Sequence, residues 1–457
     1  MRPFLTAAFL ATTMFTLPQT AHAQAMSAGE AADLRAQIEA LKRQVQTLEA
    51  RLDAATGQPA SAPVVAPAPA PAAPPAVTAK PATEIVWKGA PEIKTADGWS
   101  FKPRGRMQVD VASIDAPEGV TKARGGVGTE FRRIYLGFDG KIPGGVSYRI
   151  EADVANSGVE LSDVYLTYGP GPFSVTVGQV KPFWSLDELT SDLFTSFAER
   201  ASFTQAFNFK RRVGLSGQYK GKDFLLQGGV FGGNANDLLS DTDNSFSLDG
   251  RAVWMPTFGD TQVHLAGSAH WRKLNDGPSG VRYAPRPFVH TTDARIVDTG
   301  IFTVTSERGL GLEGAVINGP FHVASEAYWQ KASRPGLANP TFFGGYAEVG
   351  YVLTRGDSRG YKDGAFDRLS PKRPITDGGP GAIEVNARYD HIDLTDAGIV
   401  GGRQRTVGVS LVWAPISYIR VTANYGHLMY DNAALGAANG DRDYSADAFG
   451  LRTQFDF

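Results

Sequence analysis

One pattern restricts the fold of this chain more than any other: apolar and polar residues alternate with a period of two from Trp87 onward. In the segment 146–154 (VSYRIEADV), for example, valine, tyrosine, isoleucine and alanine share one parity, and serine, arginine, glutamate and aspartate share the other. Similar segments recur roughly every 20 to 25 residues over about 370 residues, and we count about sixteen of them. No stretch in this region is long and apolar enough to cross a bilayer as a helix, so a transmembrane role requires strands.

The two faces of these strands favour a membrane barrel over a soluble sandwich. The polar faces combine opposite charges with hydroxyls, as in a wet lumen, while the apolar faces often end in aromatic residues, as in the interfacial girdles of a barrel. These aromatic residues are Trp254, Trp271, Trp329, Tyr389 and Trp413. Short turns such as 169–172 alternate with long loops such as 275–299. The sequence therefore predicts an all-β fold over residues 84–457, a transmembrane antiparallel β-barrel of about sixteen strands.

The first 83 residues follow other patterns. Residues 1–23 combine Arg2, a short apolar run and Ala21-His22-Ala23, which predicts a secretory signal peptide. Residues 24–56 contain a heptad seam, which favours a coiled coil over a single amphipathic helix. The seam consists of Leu34, Ile38, Leu41, Val45, Leu48 and Leu52. Residues 57–83 are rich in Pro and Ala, which is typical of a semi-rigid extended linker.

The last strand of the chain has one apolar face. Phe449, Leu451, Phe455 and Phe457 share one parity, and the residues between them are polar or Gly. We expect this face to meet lipid in a strand that closes the barrel.

Several segments resemble the phosphate-selective porin O/P family of Gram-negative outer membranes. The most specific is 177–207 (VGQVKPFWSLDELTSDLFTSFAERASFTQAF), which is similar to the family's strand leading into an infolded third loop. The segments 379–394 and 407–425 and the C-terminal strand also match. Segment 353–361 (LTRGDSRGY) departs from the family at Arg355 and Asp357.

The resemblance implies a sixteen-stranded homotrimeric barrel in the outer membrane, with the N-terminal arm in the periplasm. It also implies that the terminal aromatic strand resembles the signal that the barrel-insertion machinery reads. Further expected partners are small inorganic anions, outer-membrane lipid and lipopolysaccharide, and peptidoglycan for the arm.

Anion transport requires cationic side chains on the lumenal parity, where a focused positive potential concentrates anions. Arg suits phosphate because its planar fork binds two oxygens. Counting Lys181 and Lys210 of the third-loop region, the candidates are Arg133, Arg149, Lys181, Lys210, Arg212, Arg251, Arg272, Arg388 and Arg420, with Arg452 as a further lumenal residue.

The same parity also carries acids, so each of these Arg residues has an alternative role as a structural partner in the barrel wall. The acids are Glu151, Asp153, Asp163, Asp249, Glu313, Glu326, Glu348, Glu384 and Asp390. The mixed lumen leaves open a general pore, and phosphate selectivity is implied by the resemblance alone.

Other functions find less support in the sequence. A formal net charge of −2 argues against a nucleic-acid partner. His264 and His270 are too far apart to bind one ion without a third ligand, and no nucleophile motif stands out, so we expect no metal, no cofactor and no enzymatic activity. Two functions remain: a diffusion channel for small anions such as phosphate or polyphosphate, and a structural tether between membrane and cell wall with a non-selective pore.

Overall fold

The structure, a computed structural model, describes residues 42, 43, 46, 83–121, 125–155, 158–237, 244–275 and 279–457. The predicted signal peptide, the six heptad positions and residues 57–82 of the linker lie outside the described residues. Among the described residues, no helix has the length and hydrophobicity needed to span a membrane.

The regular secondary structure of the described chain is almost entirely β-strand. The strands are β1 (Thr83–Lys88), β2 (Ala90–Thr95), β3 (Ser100–Asp115), β4 (Val127–Ile142), β5 (Val146–Asp153), β6 (Glu160–Tyr168), β7 (Phe173–Val180), β8 (Arg212–Lys220), β9 (Phe224–Phe231), β10 (Phe246–Trp254), β11 (Thr257–Phe258), β12 (Thr261–Lys273), β13 (Ser279–Val281), β14 (Phe302–Val304), β15 (Ser306–Asn318), β16 (Phe321–Ser333), β17 (Thr341–Val352), β18 (Gly360–Lys362), β19 (Ala365–Asp367), β20 (Ala382–Asp396), β21 (Ile399–Ile416), β22 (Ile419–Asp431) and β23 (Tyr444–Asp456). The helices are α1 (Leu186–Leu189) and α2 (Ser202–Ala206), and 3₁₀ turns cover Ala235–Asp237 and Ile375–Asp377.

Sixteen of these strands form a closed antiparallel barrel, which confirms the predicted fold class. They are β3 to β10, β12, β15 to β17 and β20 to β23. The barrel closes where β23 pairs with β3, with Asp447 opposite Asp115 and Asp456 opposite Arg106. The hairpin β1–β2 extends from the first residues of β3 through the pair Ile93 and Phe101.

The alternation of the last strand separates an outer face from a lumenal face. Phe449, Leu451 and Phe455 are 51%, 38% and 42% exposed, whereas Arg452 and Gln454 are each 3% exposed. Period-two alternation thus places the apolar set outside and the polar set inside.

The end of β23 is fixed against the first barrel strand. Phe457 and Gly105 exchange two backbone hydrogen bonds of 3.0 and 3.2 Å. A Cβ atom at position 105 would lie 2.5 Å from the ring of Phe457, so the close approach requires Gly.

The two rims differ in most of their connections, as expected. At the short-turn rim, brief turns such as 143–145, 169–172 and 417–418 join the strands. At the long-loop rim the connections include the long loops 181–211 and 274–305. Two connections depart from this pattern: residues 397–398 form a short turn between β20 and β21 at the long-loop rim, and segment 353–381 is long although it joins β17 to β20 at the short-turn rim. Segment 353–381 folds into the lumen, where the Tyr361 hydroxyl lies 2.7 Å from His264 Nδ1 and the Phe366 N–H donates to Thr190 Oγ1.

The hydrophobic core lies inside the barrel, between loop 181–211 and the wall. Trp184 and Phe203 of this loop pack on Tyr328 of β16, with ring centroids 5.0 and 6.1 Å away, and Phe203 also stacks on Tyr346 of β17. We call Trp184, Phe203, Tyr328 and Tyr346, together with Phe207, the lumenal aromatic cluster. The loop therefore occupies one side of the lumen and leaves the other side open.

Candidate functional site

The open side of the lumen contains a cavity of about 1030 Å³. Its lining extends from Tyr418 and Phe457 at the short-turn rim to Arg286 and Arg295 at the long-loop rim. The lining cations are Lys102, Arg104, Arg106, Arg132, Arg133, Arg149, Lys181, Arg200, Lys210, Arg211, Arg286, Arg295 and Arg368. The lining acids are fewer: Asp139, Asp153, Glu160, Asp163, Glu188, Asp192, Glu199, Asp237 and Asp456. The cavity is therefore richer in positive charge than the chain as a whole, which carries −2.

Many of these charges form one continuous network, which we call the ion-pair chain. In order, its members are Arg211, Asp163, Arg149, Asp139, Arg104, Glu151, Arg106, Asp192 and Arg133. Most contacts are short, such as 2.6 Å from Arg211 Nε to Asp163 and 2.7 Å from Arg133 Nε to Asp192, and the longest is 4.0 Å from Arg149 to Asp163. Cations occupy both ends, so the network keeps an excess of positive charge.

Seven of the nine members of the ion-pair chain lie on β3 to β6, and the other two, Asp192 and Arg211, lie in loop 181–211. We call the wall formed by β3 to β8 the open wall. Asp139 is shared by Arg104 and Arg149, each at 3.0 Å. A carboxylate with two cationic neighbours is less costly to bury, and its single negative charge cannot neutralise both cations.

Four further lining cations lack a carboxylate partner within 4.0 Å in the described part of the chain. They are Lys102, Lys210, Arg286 and Arg295. The Arg286 and Arg295 guanidiniums donate to backbone carbonyls, for example from Arg286 Nη1 to the His290 oxygen at 2.8 Å. A carbonyl satisfies a donor but supplies no formal negative charge, so these positions add to the positive potential.

Lys181 lies where loop 181–211 leaves β7. Its Nζ is 2.9 Å from Glu188, and the same carboxylate lies 3.2 Å from Arg200. Burial, reinforced by the charge of Arg200, lowers the pKa of Lys181 to about 8. This ammonium group therefore titrates just above neutral pH.

The opposite side of the barrel, formed by β10, β12, β15 to β17 and β20, is the covered wall, because both inward segments lie against it. Its carboxylates hold loop 181–211. Glu326 accepts the backbone N–H groups of Leu186 and Asp187 at 3.0 and 2.7 Å, where α1 begins. Asp390 accepts the N–H of Ser202 at 2.7 Å, where α2 begins. These acids satisfy helical N–H groups that have no intrahelical acceptor.

Arg residues on the covered wall are matched to carboxylates. Arg388 lies 2.7 Å from Glu348 and Arg251 lies 2.6 Å from Glu313. Both Arg251 and Glu313 have fully buried side chains. Such pairs satisfy each other and leave little charge for a solute.

The structure divides the sequence candidates between the two sides. Arg133, Arg149, Lys181 and Lys210 line the cavity. The other five candidates lie outside this lining, and their contact with anions stays a prediction: Arg212, Arg251, Arg272, Arg388 and Arg420. Arg251, Arg272 and Arg388 belong to covered-wall pairs, with Arg272 lying 3.5 Å from Glu307.

Arg212 and Arg420 bind backbone carbonyls. Arg212 is buried and donates to Phe209 and Gly232, at 2.9 and 3.3 Å. Arg420 donates to Leu193 at 2.7 Å and to Thr195, and so holds loop 181–211 from the neighbouring wall. Arg452 also pairs, with Asp110 and Glu199 at 2.6 Å each.

Several lining cations were missed from the sequence. They are Lys102, Arg104, Arg106, Arg132, Arg200, Arg211, Arg286, Arg295 and Arg368. The parity rule applied to β3 would have found Arg104 and Arg106, because they alternate with Gly105 and Met107. The parity rule could not find Arg286 and Arg295, which lie in the long loop after β12.

The two histidines of β12 have structural partners. His264 contacts Tyr361 and Glu313, and His270 Nδ1 lies 2.6 Å from Asp249. Within the described ranges, no three His, Asp or Glu residues are grouped as metal ligands.

Comparison with known proteins places these features in a family context. The profile of the family described as phosphate-selective porin O and P matches residues 101–457. An uncharacterized protein of Caulobacter vibrioides is 45% identical over 481 residues, covering 100% of this chain and 97% of that protein. Among solved structures, the anion-selective porin from Comamonas acidovorans is 11% identical with a TM-score of 0.52, covering 79% of this chain and 100% of that chain. The trimer form of Vibrio cholerae OmpT is 12% identical with a TM-score of 0.50, again covering 79% and 100%. At these identities the solved structures share the fold.

Proposed function

Because the chain belongs to the phosphate-selective porin O and P family, we propose that its lumenal cavity is a diffusion pathway that prefers small anions. Membership of this family makes the protein an outer-membrane channel rather than an enzyme. The preference for anions and the identity of the solute are the proposed part.

One observation carries the proposal: five Arg and three carboxylates of the ion-pair chain line the cavity, while its fourth carboxylate, Glu151, is buried outside the lining, and cations occupy both ends of the chain. A low-dielectric wall focuses this excess charge into the lumen and raises the local concentration of anions. Lys102, Lys210, Arg286 and Arg295 extend the positive potential toward both rims. The Comamonas acidovorans porin, which has the same fold, is described as anion-selective, and this supports the proposal.

Phosphate or polyphosphate is the proposed solute class. A guanidinium binds two phosphate oxygens with its planar fork, and successive Arg residues offer several such positions along the cavity. The family name supports phosphate. Addition of phosphate to a chloride-conducting channel should therefore reduce the chloride current.

The test of anion preference is the reversal potential of single channels in a KCl gradient. Lys210→Gln combined with Arg295→Gln removes two lining cations that have no carboxylate partner among the described residues, so the preference for chloride should fall. Arg282→Gln is the matched control, because Arg282 lies in the same loop as Arg295, is paired with Asp298 at 2.9 Å and lies outside the cavity lining. Cation preference in the unmodified channel would overturn the proposal.

The assembly we propose is a homotrimer whose long-loop rim faces outward and whose N-terminus lies in the periplasm. The fold shared with the trimer form of Vibrio cholerae OmpT is compatible with three barrels. We further propose that residues 24–56 form a coiled coil, that 57–83 form a linker, and that the apolar face around Phe457 is read during barrel insertion. Contact of the arm with peptidoglycan would make tethering a second function, and the heptad seam favours it.

A further inference from the structure

Two basic residues lie side by side on the outer face of the barrel, near the long-loop rim. Arg308 of β15 is directly opposite Lys331 of β16, and both side chains are exposed. Within the described ranges neither side chain has a hydrogen-bond or ion-pair partner. Like charges directly opposite each other in a sheet are unfavourable, so an anion between them would stabilise the pair.

The neighbourhood of this pair has the character of a membrane interface. Trp271 of β12 is the cross-strand partner of Arg308, and its ring lies 5.3 Å from that of Phe246. Trp329 lies two residues before Lys331 on the same face. Aromatic rings at this level mark the boundary between headgroups and acyl chains, which places the basic pair at headgroup depth.

An apolar groove of about 640 Å³ lies next to the pair, on the side away from the long-loop rim. Its floor consists of small residues on β10 and β12, where Gly250 lies opposite Ala269 and Ala252 lies opposite Gly267. Its side is formed by Leu310 and Leu312 of β15 together with Trp329. Leu310 and Trp329 are two residues from Arg308 and Lys331, so the groove starts about 7 Å from the basic pair.

From this juxtaposition we propose that the outer face of β10, β12, β15 and β16 binds a phosphorylated, multiply acylated glycolipid of the outer leaflet. A phosphate would accept charge-assisted hydrogen bonds from Arg308 and Lys331, and acyl chains would lie over the small residues of the groove. Charge complementarity selects this occupant over an uncharged lipid. This site is separate from the ion pathway, because neither Arg308 nor Lys331 lines the lumenal cavity.

Another basic pair on the outer face shows why Arg308 and Lys331 are distinctive. Arg403 lies 2.8 Å from Asp393, and Arg405 lies 3.0 Å from Asp431. Those guanidiniums are neutralised by carboxylates of the same face and have less charge to offer a phosphate. They supply a matched control, since they are also two basic residues on the outer face of the barrel.

The experiment measures binding of lipid A, as the phosphorylated and acylated probe, to the detergent-solubilised full-length protein by native mass spectrometry. Arg308→Gln with Lys331→Gln should weaken binding roughly 20- to 30-fold, because each cation near an anionic headgroup contributes about a factor of five. Arg403→Gln with Arg405→Gln should leave the affinity within about twofold. Channel conductance should persist in both double variants, which separates this test from that of the ion pathway.

Two further arms identify the occupant. Lipid A without its phosphates should bind the unmodified protein as weakly as phosphorylated lipid A binds the double variant, and inorganic phosphate alone should not compete at comparable concentration. Ala252→Phe with Ala269→Phe fills the groove and should weaken lipid binding while the barrel stays folded.

Three results would overturn the inference. The first is equal loss of affinity in the Arg403 and Arg405 control. The second is competition by inorganic phosphate as strong as that by lipid A. The third is dissociation of an oligomer by the groove variant with unchanged lipid affinity, which would identify a second copy of the chain as the occupant.

Discussion

The open wall and the covered wall are built from the same residue types, yet they differ in how charges are shared. On the open wall a carboxylate such as Asp139 serves two guanidiniums. On the covered wall each of Arg251 and Arg388 has its own carboxylate, and Glu326 and Asp390 bind loop 181–211. The ratio of cations to acids, and what lies over them, therefore decides whether an Arg side chain stays accessible from the cavity or is held within the scaffold.

The largest effect is expected from detaching loop 181–211 from the covered wall. Glu326→Ala with Asp390→Ala removes the acceptors of three backbone N–H groups at the starts of α1 and α2. Each backbone N–H group left buried without an acceptor costs about 1–3 kcal/mol, so the loop should leave its position and widen the lumen. Single-channel conductance should rise and anion preference should fall.

A milder pair of changes serves as the control for this release. Glu326→Gln with Asp390→Asn keeps an oxygen acceptor at each position, so the rise in conductance should be smaller. Unchanged conductance in the alanine variant would show that the remaining contacts, such as the lumenal aromatic cluster and Arg420, suffice to hold the loop.

The next largest effect is expected from removing one Arg side chain from each wall and comparing the two variants. Arg388→Gln leaves Glu348 buried without its guanidinium, which should destabilise the barrel by about 3–5 kcal/mol with little change in selectivity. Arg149→Gln leaves Asp139 with Arg104 and Asp163 with Arg211, so it should preserve stability and reduce anion preference. Heat modifiability on gels measures the first quantity and reversal potential measures the second. Equal effects of the two variants on both measurements would remove the distinction between the walls.

A smaller effect should appear with pH on the open wall. Since the pKa of Lys181 is lowered to about 8, its charge is present at pH 7 and is lost as the pH rises through 8. Anion preference should therefore decline between about pH 7 and 9. The lowered pKa also means that burial of the charged form opposes folding, so stability should rise as the pH increases above 8. Lys181→Arg keeps the charge and should abolish the decline in reversal potential. A decline of the same size in that variant would assign it to another group.

The smallest effect on permeation is expected from the N-terminal arm, because neither wall contains it. Deleting residues 24–82 should leave conductance and selectivity intact, while a trimer without its coiled coil should dissociate at lower temperature. Ile38→Asp with Leu41→Asp should have the same consequence through loss of the heptad seam. Semi-native gels over a temperature series provide the measurement. An unchanged dissociation temperature would contradict the reinforcing role, and loss of conductance would make the arm part of the pore.

Period-two alternation predicted the barrel because the pattern of each strand depends only on its own residues. In β23 it assigned the apolar side chains to the outer face and the polar side chains to the lumen, as the structure has them. The same rule failed where the backbone is irregular. Arg132 is the extra residue of a bulge, since Gln108 faces Arg133 while Val109 faces Phe131, so both Arg132 and Arg133 line the cavity. Arg211 rather than Arg212 lines the cavity because it precedes the first residue of β8, where alternation does not yet apply.

The sequence could not predict which Arg residues belong to the open wall and which to the covered wall. Arg388 and Arg149 have the same lumenal parity, but the first is covered by an inward loop and the second is open. Coverage depends on contacts between residues far apart in the chain, such as Ser202 with Asp390, which alternation does not encode.

The pairing of β23 with β3 also has a consequence for the time course of folding. It joins the most distant strands of the barrel, whereas the other barrel pairs join strands that follow one another in the chain. Folding slows as native contacts become less local, so closure should be the last and slowest event. Until then the edges of both strands present backbone groups that hydrocarbon cannot satisfy. The barrel can close only when all sixteen strands are ordered. An intermediate that lacks any of them therefore retains two strand edges with unpaired backbone groups.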